Sequence, residues 1–158
     1  MYKLYLLAHF LLMFLWIVPA LISDYRFLAH FRGAGTEKRI SILKSIQSVS
    51  DRTEMVASFF IPLVGVLMII ERTFWLTEGV MYAKILMALV AIGCYHVARG
   101  KLKKMIAALH SGSPVGRLAK HYLAFRSTML LLLVTVVWTI VSFKGALSAP
   151  YLIRSWFG

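Results

Sequence analysis

Apolar residues along the chain fall into four long runs, at about residues 3–23, 55–71, 80–98 and 127–147. Each run is close to the ~20 residues that a helix needs to cross ~30 Å of hydrocarbon. Between them, residues 24–53 and 99–126 mix charged side chains with apolar ones at helical spacing, as in EKRISILKSIQSVSDRTE and GKLKKMIAALHSG. That spacing predicts helices that run on past the bilayer or lie at its surface. GAG at 33–35 and GSPVG at 112–116 are the turn signals. The pattern predicts an all-α fold: a polytopic membrane four-helix bundle with partly helical connectors, making one membrane domain over residues 1–158. The first run reads as a true span and not as a cleaved signal peptide. Its apolar stretch is too long for an h-region, and no small-x-small site precedes the charged DYR that follows.

Composition supports this reading. Of 158 residues, 60% are hydrophobic, and the mean hydropathy is +0.78. The formal charge of +12 would suit nucleic acid, but the basic residues lie in the connectors, where they act as topology signals. The first connector carries Arg26, Arg32, Lys38, Arg39, Lys44 and Arg52; the third carries Arg99, Lys101, Lys103, Lys104, Arg117, Lys120 and Arg126. In the short second connector Arg72 stands between Glu71 and Glu78. The bias places the long basic connectors in the cytoplasm among anionic headgroups and both termini on the other side, an N-out/C-out protein without a nucleic-acid partner. Cys94 is the single cysteine, so no disulfide framework or CxxC site follows. HExxH, GxSxG and glycine-rich phosphate loops are all missing, which removes the metalloprotease, hydrolase and kinase classes.

An ionisable side chain in hydrocarbon costs several kcal/mol on most scales and needs a partner or a purpose. Three call for attention: His9, Lys84 and His96. Counted from the ends of their runs, His9 and Lys84 lie at one depth, whereas His96 lies about 18 Å further on, at ~1.5 Å per residue. His96 instead shares a level with Asp24, Tyr25, Arg52 and Glu54. Lys84, Ala88, Ala91 and Tyr95 form one line along their helix, and His9, Met13, Trp16 and Ala20 form another. Small residues in line permit close approach of a neighbour or of a flat ligand. A neutral imidazole is a good axial ligand for haem iron. Plain alternatives stand beside this. His9 can hydrogen-bond across the helices, and Lys84 can extend its amine to the headgroups.

These residues resemble the small four-helix membrane proteins grouped around HemJ-type protoporphyrinogen oxidases and the membrane domain of CopD-type copper-resistance proteins. In length and end motifs the chain is most similar to a related family of predicted integral membrane proteins. The resemblance rests on His9 with Trp16, on SDRTE before the second run, on Lys84, on YHVARGKLKK and on WTIVSFKG. Where HemJ-type chains have a Pro-Arg pair after the first helix, this one has Asp24, Tyr25 and Arg26. The resemblance implies an oxidoreductase of the bacterial inner membrane that binds haem b, with His9 as metal ligand and His9 and Lys84 as catalytic residues. Trp16, Ala88, Ala91, Tyr95 and His96 would complete the cofactor site, and porphyrin or quinone would be the small-molecule partner. Two other readings stay open: a cofactor-free accessory subunit of a larger membrane complex or homo-oligomer, and CopD-like copper handling.

Overall fold

The computed structural model describes the backbone of residues 1–73 and 79–157 and the side chains of residues 1–73 and 79–139. The chain is all-α, 91% helical. Its helices are α1 (Tyr2–His30), α2 (Thr36–Val49), α3 (Met55–Glu71), α4 (Gly79–His110) and α5 (Gly116–Phe157). Residues Ser50–Glu54 form a π-helical turn that joins α2 to α3, so Thr36–Glu71 is one continuous rod. Among the described residues four helices are therefore long and apolar enough to cross a membrane, and the protein is an integral membrane protein by this criterion. The connector segments are helical extensions of the membrane helices. At ~1.5 Å per residue, the 29 residues of α1 rise about 43 Å, well beyond ~30 Å of hydrocarbon.

Each turn signal ends a helix by a definite device. Gly112 adopts a left-handed φ of 69°, which a side chain would oppose. The Ser113 N–H then reaches the Ala108 carbonyl at 2.8 Å, and the Gly112 N–H reaches that of Leu109 at 3.3 Å, a Schellman closure of α4. At the end of α1, Arg39 donates from Nε to the Phe31 carbonyl (3.1 Å) and from Nη2 to that of Arg32 (2.9 Å). A cation therefore meets the negative end of the α1 dipole. Pro19 and Pro62 lie inside α1 and α3, a tolerated placement in membrane helices where neighbours re-satisfy the freed carbonyls.

Packing is strongest between α1 and α3 and between α4 and α5. The buried residues form two cores. One, within the apolar runs, holds Met13, Trp16, Ala20, Ala57, Ile61, Ala91, Tyr95, Met129 and Leu133. The other, at the basic end, gathers Phe27, Phe31, Leu43, Ile46, Leu102, Met105 and Tyr122 from the helical extensions. Phe27 stacks on Phe31 with centroids 4.5 Å apart and tilts against Tyr122 at 5.0 Å.

Leu43 and Leu102 are fully enclosed in the second core, whereas Leu28 is exposed. Leu43→Ala or Leu102→Ala is expected to lower unfolding stability by about 2–5 kcal/mol, and Leu28→Ala by less than about 0.5 kcal/mol. Denaturation of the detergent-solubilised protein, followed by circular dichroism, checks the contrast.

Candidate functional site

Between the two cores lies a polar layer built from four stretches of chain. Arg126, one residue before the last apolar run, is only 3% exposed. Its Nε donates to Asp24 Oδ1 at 2.8 Å, and its Nη2 donates to the Ala20 carbonyl at 3.0 Å and to Glu54 Oε1 at 3.4 Å. Nη1 donates to Glu54 Oε2 in the same bidentate contact. One guanidinium therefore joins α1, the π-helical turn and α5. Tyr122, one turn earlier on α5, approaches Asp24 Oδ1 at 3.5 Å. Arginine suits this place because its rigid fork serves several acceptors at once and stays charged when dried.

The π-helical turn supplies the other half of the layer. The Tyr95 hydroxyl donates to the Ser50 carbonyl at 3.3 Å and lies 3.2 Å from Ser50 Oγ. Arg99 Nε donates to Asp51 Oδ1 at 2.7 Å, a more exposed pair. A π-turn adds one residue to a helical turn, which lets Ser50 and Asp51 face α4 while Glu54 faces Arg126. Three of the six acidic residues in the chain, Asp24, Asp51 and Glu54, are thus ion-paired here.

The second cluster lies further along the α1–α3 contact. Carbon Cε1 of His9 would sit 3.9 Å from a methyl placed on Gly65, so the glycine leaves the imidazole room against α3. The Ile61 backbone and Lys84 on α4 both act electrostatically on the His9 ring. Its Nδ1 is buried without a hydrogen-bond partner among the described residues. A neutral imidazole has one nitrogen with a free lone pair, which can accept a metal or a proton.

The remaining candidates sit elsewhere. Trp16 and Tyr95 pack edge to face with centroids 6.0 Å apart, and Ala91 is fully buried in the same core. Their surfaces are thus committed to one another at the level where the first core closes. Ala88 is half-buried, and His96 is exposed, with its ring against the edge of Tyr95. The structure therefore leaves His9 and Lys84 within electrostatic reach of one another and gathers Trp16, Ala91 and Tyr95 two turns away. Outward of Met13, Ile61 and Ala91, no described residue of α1, α3 or α4 is buried. Hollows occur elsewhere on the surface. A shallow apolar one of 210 Å³ is lined by Ile17, Val134, Val137 and Trp138. A wider one at the start of α1 includes Tyr2 and Arg72, whose guanidinium lies 4.2 Å from the Tyr2 ring. Among the described residues no three His, Cys, Asp or Glu side chains converge.

Sequence reasoning placed Asp24 and Glu54 at one level but read Arg126 as a topology charge and missed the triad. Its signal was the scarcity of carboxylates: both stand at the edges of apolar runs, where an unpaired acid is costly. Comparison of the chain with protein-family models, with curated proteins and with solved structures found no match.

Arg126→Met is expected to destabilise the protein by about 3–5 kcal/mol, because the buried carboxylate of Glu54 and the partly buried one of Asp24 lose their counter-charge. Adding Glu54→Leu should recover much of that loss, since the remaining acid, Asp24, is partly hydrated. Thermal unfolding of the two variants side by side tests the point, and equal stability of Arg126→Met and the parent would contradict it.

Proposed function

We propose that the protein is an integral membrane redox protein that holds haem b in the half of the membrane domain away from the basic end. The reading is supported chiefly by one observation. His9 presents a buried, unpartnered Nδ1 beside the glycine-cleared face of α3, within electrostatic reach of Lys84. His9 would hold the haem iron, with its ring oriented by the neighbouring Ile61 backbone, as surrounding groups orient a metal-bound histidine. Lys84 would pair with a propionate carboxylate. The donor set fits the group, but the space for it is narrower than the sequence suggested. Trp16, Ala91 and Tyr95 pack together and would form the floor of the site, not its walls.

Haem, when bound, supplies one-electron chemistry. The chain's residues hold and orient it, and His9 and Lys84 set the charge around it. In its sharpest form the function is HemJ-like oxidation of protoporphyrinogen IX, with electrons passing to quinone or a respiratory partner. The basic extensions face the cytoplasm in this proposal, against anionic headgroups of a bacterial inner membrane, in keeping with the positive-inside bias.

The test is the visible spectrum of the detergent-purified protein, oxidised and then dithionite-reduced, with haem quantified as the pyridine haemochrome. The expected outcome is stoichiometric haem b, a Soret band abolished by His9→Ala, and weaker haem retention in Lys84→Met. A colourless protein from haem-replete cells would overturn the proposal and favour the accessory-subunit reading.

A further inference from the structure

Charge is divided unevenly between the two halves of the chain. Every acidic residue precedes residue 79, and residues 79–158 carry Lys and Arg with no Asp or Glu. Of the acids in the first half, Asp51 is taken by Arg99, and Asp24 and Glu54 by Arg126. Lys103 and Lys104 on α4 and Arg117 and Lys120 on α5 are exposed and enter no ion pair among the described residues. Lys101 with Lys104, and Arg117 with Lys120, are like charges three residues apart, a spacing at which they weaken their own helices. Membrane topology accounts for Lys and Arg here, but acids hardly affect topology, so it does not account for their absence. Glutamates between these cations would steady the helices at no topological cost, and the hairpin has none.

The cations stand on a rigid support. Along α4 the buried residues Ala91, Tyr95, Ala98, Leu102, Met105 and Leu109 alternate in steps of four and three, and along α5 so do Tyr122, Arg126, Met129, Leu133 and Val136. That is the seam of an antiparallel coiled coil, continuous from the apolar runs into the extension. Gly112 and the Ser111–Ser113 hydroxyl contact at 3.0 Å close the tip. The extension therefore continues the line of its membrane helices and does not fold back along a bilayer surface.

Position along this hairpin selects the kind of partner. The headgroup layer is ~5–8 Å deep on each side of the hydrocarbon. At ~1.5 Å per residue from the ends of the apolar runs, Lys103 and Lys104 lie roughly 8–9 Å out, Lys120 about 10 Å and Arg117 about 15 Å. The first two are at the outer edge of the headgroups and the other two are past it, in water. Arg52 and Lys101, nearer the runs, are left to the lipid. Nucleic acid is a poorer fit: residues 99–126 contain no Asn or Gln, and their aromatic rings, Tyr122 and Phe125, pack into the core. The exposed residues between the cations, Ala107 and Ala124, are small and let another backbone come close.

We propose that the outer surface of the α4–α5 hairpin, beyond the bilayer, docks an acidic segment of a soluble protein, whose carboxylates pair with Lys103, Lys104, Arg117 and Lys120. The partner supplies the negative charge that the second half of the chain lacks and relieves the repulsion along both helices. Pairs of this exposed kind set the encounter rate and the choice of partner, and salt weakens them. The inference rests on the hairpin alone and not on haem.

The test uses the full chain in phosphatidylcholine nanodiscs at near-physiological salt, with a fluorescein-labelled poly-glutamate peptide as probe and fluorescence anisotropy as readout. Wild type is expected to bind the peptide. Lys103→Gln, Lys104→Gln, Arg117→Gln and Lys120→Gln combined should weaken binding about tenfold or more, roughly what four exposed ion pairs supply. Arg32→Gln, Lys38→Gln, Lys44→Gln and Arg52→Gln combined, which remove the same charge outside the hairpin, should change it less than about threefold. Thermal unfolding in detergent verifies that both variants are folded. Absence of peptide binding to wild type, or equal weakening by the two variants, would overturn the proposal. So would tighter binding of a fluorescein-labelled DNA oligonucleotide of equal charge, which would assign the surface to nucleic acid. Loss of peptide binding when phosphatidylglycerol replaces part of the phosphatidylcholine would assign the cations to headgroups, with the same result.

Discussion

A single arginine in a dry place governs this architecture. Arg126 holds two carboxylates and a backbone carbonyl from α1 and from the π-helical turn, at the boundary between the two cores. Removing the arginine would leave Glu54 charged and uncompensated where water cannot reach it, so the helices that carry these groups are constrained to meet. The interaction need not add net stability over a well-packed apolar core. What it imposes is register, because an apolar helix surface alone slides easily against another, whereas a bidentate ion pair accepts few positions.

Register is what connects this layer to the membrane interior. With Ala20 level with Glu54, the α1–α3 contact sets His9 beside Gly65 and Ile61, more than two helical turns away. The π-helical turn contributes from the other direction. Its anchors to Tyr95 and Arg99 tie α4 to the same layer, and α4 carries Lys84. Trp16 against Tyr95 then closes the first core just beneath the site. The imidazole of His9 and the amine of Lys84 thereby come within electrostatic reach of one another at the end of the bundle where few side chains are buried.

Much of this was legible in the chain, and the reasons are physical. Long apolar runs specify membrane helices because bilayer thickness specifies length, and the turn signals at 33–35 and 112–116 fall where helices end. Counting residues is also the whole basis for expecting His9 and Lys84 at one depth, since rise per residue is constant. The triad was not legible in the same way: Arg126 looks like any other boundary charge until its neighbours in space are known. The π-helical turn in SDRTE has no local signature either, since its side chains point where α4 and α5 demand. For His96, depth says nothing about which face of α4 a residue occupies, and its side chain is exposed.

The central claim is that the α1–α3 register, set at Arg126, places the His9 ring against Gly65. Solid-state NMR on membrane-reconstituted protein carrying ¹³C at histidine Cε1 and glycine Cα measures this directly. The account predicts a through-space cross-peak between His9 and Gly65, identified by its loss in Gly65→Ala. Absence of that cross-peak in folded protein, with His9 correlating to no residue of α3, would contradict it.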